Sequence, residues 1–143
     1  MENKKVNFDK YIEFVDEVTS DASKDFLALS DRLVELDEKG ANIERLLTAS
    51  VGINAEGGEF MEIVKKLIFQ SKPWTEDNKE HLIIELGDIM WYVAQACIAL
   101  EVSLDDVVAR NVQKLLKRYP DGVFDVFFSE NRAADDRWLK KSK

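Results

Sequence analysis

The chain has 143 residues, of which 45% are hydrophobic and 34% are charged, and its formal net charge is -8 at pH 7. This length suits one domain with its own core, and the composition is too apolar for a disordered chain. The acidic charge argues against a nucleic-acid partner, because proteins that bind nucleic acid concentrate lysine and arginine on one face. We therefore expect one globular domain over residues 1–143, with a flexible tail from about residue 129.

The N-terminus and the apolar segments predict a soluble cytoplasmic protein. Residues 1–10 are charged and lack the apolar core of a signal peptide. The apolar runs look too short and too often interrupted to span a bilayer, so no membrane partner is expected. The one cysteine, Cys97, has no partner for an internal disulfide and fits a small buried hydrophobic residue.

Helical periodicity runs along nearly the whole chain, and no alternating run of β-branched residues predicts a strand. Five helices are predicted, at about residues 8–18, 23–38, 43–71, 76–100 and 104–118. Their expected caps and stops are Asn7, Gly40, Thr75, Ser103 and the turn at 120–122. The apolar segment 123–128 is expected to pack on these helices or on another subunit. The predicted fold class is all-α, a bundle of four to five helices.

Three glycines lie inside the predicted third helix. Gly52, Gly57 and Gly58 each cost about 1 kcal/mol of helix propensity relative to alanine. We interpret them as positions where another backbone or a ligand comes close, although tight helix packing explains them equally well.

Two acidic pairs are the main candidates for function, Glu56 with Glu59 and Glu85 with Asp88. The members of each pair are three residues apart, so they share one face of a helix. Glu56 and Glu85 also fall within apolar rows at helical spacing, which predicts inward-pointing carboxylates. Two like charges about 5 Å apart repel by about 3 kcal/mol at an effective dielectric of about 20. The acids therefore need basic side chains or a metal ion beside them.

Carboxylate ligands favour magnesium, with manganese possible, over structural zinc. A di-iron bundle would need Glu-x-x-His pairs, but the one histidine, His81, stands three residues after Asn78. His81 lies one turn before Glu85, and both a surface position and a role in supporting that acid stay open. The predicted metal ligands are Glu56, Glu59, Glu85 and Asp88.

Residues 55–59 (AEGGE) and 85–92 (ELGDIMWY) resemble the MazG-like nucleoside triphosphate pyrophosphohydrolases. In that oligomeric all-α superfamily, two nearby glutamates are followed, after a spacer, by Glu-x-x-Asp. The resemblance covers about residues 45–124. Ala55 stands where the family often has a further glutamate, and this departure bears on the number of metal ions.

The resemblance implies hydrolysis of a nucleoside triphosphate, a dNTP or a non-canonical NTP, to the monophosphate and pyrophosphate by a homodimer or homotetramer. Magnesium held by the carboxylates would neutralise the triphosphate and activate water, with Glu56 or Glu59 as the general base. Lys114 and Arg118 lie four residues apart on one helix face and suit phosphate oxygens. Asn111 lies one turn earlier and suits phosphate, sugar or metal-bound water. A solvated polar helix face is the alternative for Asn111, Lys114 and Arg118.

Recognition of the base and the role of the tail are less constrained. Phe60, Trp74, Trp91 and Tyr92 are candidates to stack on a base, with Trp91 preferred, although aromatic residues at helical spacing more often form core. The basic tail residues either fold over the phosphates or fray, namely Arg132, Arg137, Lys140 and Lys141.

Two other functions stay open at this point. The same scaffold fits a dUTP-type or signalling-nucleotide hydrolase. A different class is a non-catalytic helical interaction protein, whose acidic pairs bind basic side chains of a partner or pair internally with Lys65, Lys66 and Lys72.

Overall fold

The computed structural model describes residues 6–131, and all regular structure within that range is helical, which confirms the all-α prediction. The elements are α1 (Phe8–Val18), a 3₁₀ turn (Asp21–Ser23), α2 (Phe26–Glu38), α3 (Ile43–Phe69), α4 (Glu76–Ala99), α5 (Leu104–Arg118) and α6 (Val126–Glu130). The described residues divide into two compact units, with the boundary between Glu44 and Arg45. The expectation of one domain stays a prediction, and most of the proposed flexible tail lies outside the described residues.

The three predicted N-caps form. The side chains of Asn7 and Thr75 accept hydrogen bonds from the backbone N–H three residues later, at 3.1 and 3.2 Å. Ser103 forms a full capping box, in which its hydroxyl accepts from Asp106 N at 3.0 Å and its own N–H donates to the Asp106 carboxylate at 3.3 Å. These bonds satisfy donors that a helix leaves free at its start, so α1, α4 and α5 begin where the sequence predicted.

The second helix begins later than predicted because a different residue caps it. Asp21–Ser23 form the 3₁₀ turn, and the Asp25 carboxylate accepts from a backbone N–H three residues on, at 2.8 Å. Lys24 Nζ donates to the backbone carbonyl of Asp16 at 2.7 Å and so ties this segment to the end of α1. The helix ends before Gly40, whose φ of +83° lies in the left-handed region that favours glycine.

The apolar segment after α5 includes a short helix that the sequence did not predict. Asp125 caps α6 by accepting a hydrogen bond from Phe127 N at 2.7 Å. Four apolar side chains of this segment are between 65% and 69% exposed, namely Val123, Phe124, Val126 and Phe127. The described part of their own chain does not cover them, so packing against another subunit stays a prediction.

Helix α4 corrects the expectation that every apolar run is too short for a membrane. Among the described residues it is the one helix long and apolar enough, by length and composition, to cross a bilayer. Its last 18 residues contain two charged side chains, Glu85 and Asp88. Core helices of soluble proteins have the same composition but are mostly buried, whereas only 11% of this apolar window is buried in the structure. Carboxylates such as Glu85 and Asp88 are, however, costly at the centre of a bilayer. No membrane location follows from α4 alone.

Candidate active site

Helices α3 and α4 run antiparallel in the second unit, as three contacts along their length show. Arg45 donates a hydrogen bond to Gln95 Oε1 at 2.6 Å. Further along α3, the ring of Tyr92 lies over Gly52. The acids of α3 then meet Glu85 of α4. Because α4 numbers fall as α3 numbers rise, this register brings the two acidic motifs to the same level.

Three of the four predicted acids converge. One carboxylate oxygen from each of Glu56, Glu59 and Glu85 lies within 4.8 Å of the others. Glu85 is only 5% exposed, Glu56 is half-buried and Glu59 is exposed. The two acids that interrupt apolar rows are thus the more buried ones, as their spacing predicted. Asp88 is exposed and lies outside this group of three, although its charge acts on Glu56.

His81 supports the buried carboxylate. Its Nε2 lies 3.0 Å from Glu85 Oε1, one helical turn away on α4. A buried carboxylate is costly unless its oxygens have polar partners, and this contact supplies one. Since the imidazole is half-exposed, both earlier interpretations of His81 hold: it is a surface side chain that also supports an acid.

Electrostatic strain in the cluster falls on Glu56. Desolvation raises the pKa of the Glu56 carboxyl, and the nearby charges of Glu59, Asp88 and Glu85 raise it further. The protein therefore holds these carboxylates close together at a cost in free energy. A bound cation would offset that cost, since it interacts favourably with every charge in the cluster.

The raised pKa of Glu56 makes the metal-free stability depend on pH. The ordinary value is 4.5, and the folded protein binds this proton more tightly than the unfolded chain does. The favourable contribution of Glu56 protonation to the free energy of unfolding is therefore complete below pH 4.5. It is lost as pH rises through the pKa of the folded state. In EDTA, we expect Glu56→Gln to melt higher than the wild type at about pH 7 and to melt equally at about pH 4.

Glu62 provides a control of the opposite sign for this pH measurement. A hydrogen bond from Lys66 lowers the pKa of the Glu62 carboxyl. The ionised Glu62 carboxylate stabilises the folded state above its ordinary pKa, and this stabilisation is lost as pH falls. Glu62→Gln should therefore melt lower than the wild type at about pH 7. Equal melting of Glu56→Gln and the wild type at neutral pH would contradict the assignment of strain to Glu56.

The donor set fits a hard divalent cation. Carboxylate oxygens are the ligands that magnesium and manganese prefer, and octahedral Mg²⁺ holds oxygens at about 2.1 Å, so opposite ligands lie about 4.2 Å apart. The 4.8 Å span of the three oxygens is close to that separation. Small side-chain rotations would allow Glu56, Glu59 and Glu85 to hold one such ion, with Asp88 on the exposed side.

The lysines that an interaction protein would use to neutralise the acids act on a different residue. Lys66 Nζ lies 3.0 Å from a Glu62 oxygen. Lys65 and Lys72 also lower the pKa of Glu62. Their charge is therefore placed on Glu62 rather than on the strained Glu56.

The predicted substrate-binding residues lie on neighbouring elements. Lys114 and Arg118 of α5 are half-buried, Asn111 of the same helix is exposed, and α5 follows α4 and contacts it. Trp91 of α4 is 54% exposed, and its ring stands edge-on to Tyr92 with centroids 4.7 Å apart. The roles of these four residues stay predictions. The basic tail proposed to fold over phosphates lies outside the described residues.

Comparison with known proteins agrees with this geometry. The family model described as the MazG nucleotide pyrophosphohydrolase domain matches residues 46–123, which is more than half of the chain. The chain belongs to the MazG family. The match extends from the start of α3 past α5 and includes every predicted site residue, whereas α1 and α2 precede it. The resemblance inferred from the two acidic motifs is thereby confirmed.

The chain is also similar to the Gene 37 protein of Mycobacterium phage L5. The two are 41% identical over 83 residues, which cover 57% of this chain and 73% of the phage protein. The name of that relative states no activity. No solved structure gave a significant match.

Sequence reasoning missed two contacts that hold the site together. The hydrogen bond between Arg45 and Gln95 joins side chains 50 residues apart. Gly52 was expected to mark a close backbone or a ligand, or else tight helix packing, and the structure places the side-chain ring of Tyr92 there, which corresponds to the packing alternative. Both pairs depend on the register of α3 and α4.

Proposed function

We propose that this MazG-family chain hydrolyses nucleoside triphosphates, dNTPs or non-canonical NTPs, to the monophosphate and pyrophosphate with magnesium or manganese as cofactor. The convergence of carboxylates from Glu56, Glu59 and Glu85 is the observation that carries this proposal. Membership of the MazG family supports nucleotide pyrophosphohydrolase as the class of activity. The metal dependence and the preferred substrates are the proposed parts.

The acidic residues bind the metal cofactor and accept the proton of the attacking water. Glu56, Glu59 and Glu85, with Asp88 beside them, provide the metal ligands. The cation supplies charge neutralisation for the triphosphate and activation of water at neutral pH. Glu56 or Glu59 accepts the proton of the attacking water, because a carboxylate with an oxygen not bound to metal can act as a general base. His81 keeps the buried Glu85 oriented.

Side chains of α5 and α4 bind the rest of the substrate. Lys114 and Arg118 hold phosphate oxygens and stabilise the charge that develops on them. Asn111 hydrogen-bonds phosphate or sugar, and the exposed Trp91 ring stacks on the base. A small anionic ligand suits this acidic protein, since the cation rather than the net charge attracts it.

A substrate panel tests the proposed function. Canonical, deoxy and modified triphosphates would be incubated with the protein and Mg²⁺, and nucleotides and pyrophosphate separated by ion-exchange chromatography. We expect at least one triphosphate to yield the monophosphate and pyrophosphate in equal amounts. Conversion of dUTP or a signalling nucleotide alone would select those substrates within the same class. No turnover of any triphosphate would favour the non-catalytic interaction protein.

We also propose that the protein is a homodimer or homotetramer. Apolar side chains recur at every fourth position of α5 and are between 42% and 58% exposed, namely Leu104, Val108, Val112 and Leu116. A continuous exposed row of this kind favours association with an identical surface. A cytoplasmic location, without membrane or nucleic-acid partners, is part of the same proposal.

Assembly is tested by light scattering at micromolar concentration. We expect a mass at least twice that of the 16.4 kDa chain. Leu116→Glu should weaken the assembly, because it places a charge within the apolar row, whereas the adjacent exposed change Lys117→Glu should not. A wild-type monomer that still converts nucleotide would show that one chain forms the whole site.

A further inference from the structure

Gly52 of α3 leaves space that the ring of Tyr92 fills. A Cβ atom added at Gly52 would stand 2.1 Å from Tyr92 Cδ1 and Cε1 and 2.3 Å from Cζ. These distances are far inside van der Waals contact, so no residue with a side chain fits there while the ring keeps its place. Gly52 is buried. The ring of Tyr92, which contacts Gly52, also lies edge-on to the ring of Trp91.

This contact lies next to the acid cluster. Gly52 precedes Glu56 by one helical turn on α3, and Tyr92 follows Asp88 by one turn on α4. Because the helices are antiparallel, the ring occupies the space between them at the level just before the carboxylates meet. A change in the distance between α3 and α4 at the Tyr92 ring would therefore move Glu85 relative to the acids of α3.

Among the described residues, no neighbouring side chain lies close to the other glycines within helices. Cβ atoms added at Gly57, Gly58 or Gly87 would meet nothing within 4 Å. Gly52 is therefore distinguished by a steric requirement, and the remaining three are open to alanine on steric grounds. Gly87 is the most useful comparison, since it lies on α4 between Glu85 and Asp88.

We propose that Gly52 and Tyr92 are positioning residues that set the distance between α3 and α4 at the metal centre. The ring of Tyr92 acts as the spacer, and the absence of a side chain at Gly52 lets the ring lie flat against α3. This inference rests on the proposed function, because the cluster that it positions is the proposed metal site. Neither residue is among the proposed metal ligands or the proposed substrate-binding residues.

The test measures binding of Mn²⁺ alone, without nucleotide, by electron paramagnetic resonance of the free ion. Gly52→Ala should weaken Mn²⁺ affinity about 10- to 100-fold, the range seen when groups that orient metal ligands are changed. Tyr92→Ala should also weaken it, because the spacer is lost. Tyr92→Phe keeps the ring and should bind as the wild type does, and Gly87→Ala should do the same.

The double variant Gly52→Ala/Tyr92→Ala separates spacing from general damage. Its loss of affinity should be smaller than the product of the two single losses, since the added Cβ no longer meets a ring. Near-ultraviolet circular dichroism should change in Gly52→Ala and not in Gly87→Ala, because the Trp91–Tyr92 ring pair would be displaced. If Gly52→Ala does not fold, Tyr92→Ala against Tyr92→Phe gives the same comparison.

The outcomes distinguish this inference from the proposed function. Wild-type affinity in folded Gly52→Ala or folded Tyr92→Ala would overturn the spacer role and leave the metal centre intact. Strictly multiplicative losses in the double variant would also overturn it. If the wild type binds no Mn²⁺, the proposed metal centre fails. The spacer role is then tested by the metal-free melting temperatures of the two single variants and the double variant. If the two single shifts in melting temperature add up to the shift of the double variant, the spacer role is refuted.

Discussion

Magnesium or manganese ions are expected to raise the melting temperature of this protein by several degrees. The folded chain brings Glu56, Glu59 and Glu85 within 4.8 Å of one another, whereas the unfolded chain separates them. A cation that binds only the folded state at about 100 times its dissociation constant adds about 2.7 kcal/mol to the free energy of unfolding. For a chain of this length that corresponds to several degrees.

Two controls separate specific binding from screening of charge. Sodium chloride at matched ionic strength should have much less effect, because the buried Glu85 carboxylate is poorly screened. Changing Glu56, Glu59, Glu85 and Asp88 together to amides should remove the response to Mg²⁺ and Mn²⁺. A wild-type melting temperature that ignores both ions, with and without nucleotide, would rule out the metal centre and favour an interaction protein.

Glu59→Gln and Glu85→Gln should each abolish measurable turnover without destabilising the metal-free protein. An amide is a weak ligand for a hard cation, so the loss should exceed the roughly 100-fold typical of changing a group that only orients a ligand. Stability should be equal or higher, because each change removes one of several like charges.

Glu62→Gln is the matched control for these two variants. Glu62 lies on the same helix as Glu59, but its carboxylate pairs with Lys66 at 3.0 Å. The same chemical change there should leave turnover unaffected. Loss of turnover in Glu62→Gln, or full turnover in a folded Glu59→Gln or Glu85→Gln variant, would place the chemistry elsewhere. Activity and metal-free melting should be measured on the same preparations.

The helices were predictable because their signals are local. Asn7, Thr75 and Ser103 cap helices through atoms three residues away, so the sequence contains both partners of each bond. The second helix was placed too early because the sequence analysis assigned it no N-cap, whereas the Asp25 carboxylate caps it and starts it at Phe26. The short α6 was missed because an apolar run of a few residues carries too little periodicity to predict a helix.

The acidic motifs were also readable from the sequence, since acids at a spacing of three within apolar rows are unusual on a helix. The spacing showed which acids share a face, and the resemblance to the MazG family that it supported is confirmed. The position within apolar rows also distinguished Glu56 and Glu85, which turn inward, from Glu59 and Asp88, which are more exposed. The substrate-binding roles on α5 remain predictions that the substrate panel will test.

Only the tertiary structure decided how the two motifs meet. The register of α3 against α4 depends on contacts between distant residues, such as Arg45 with Gln95 and Gly52 with Tyr92. That register gathers three acids closely and leaves Asp88 at the exposed side, a distinction that the matching spacings of the two motifs could not make. Helix periodicity fixes which face a side chain occupies, whereas the distance between two faces is fixed by the side chains packed between them.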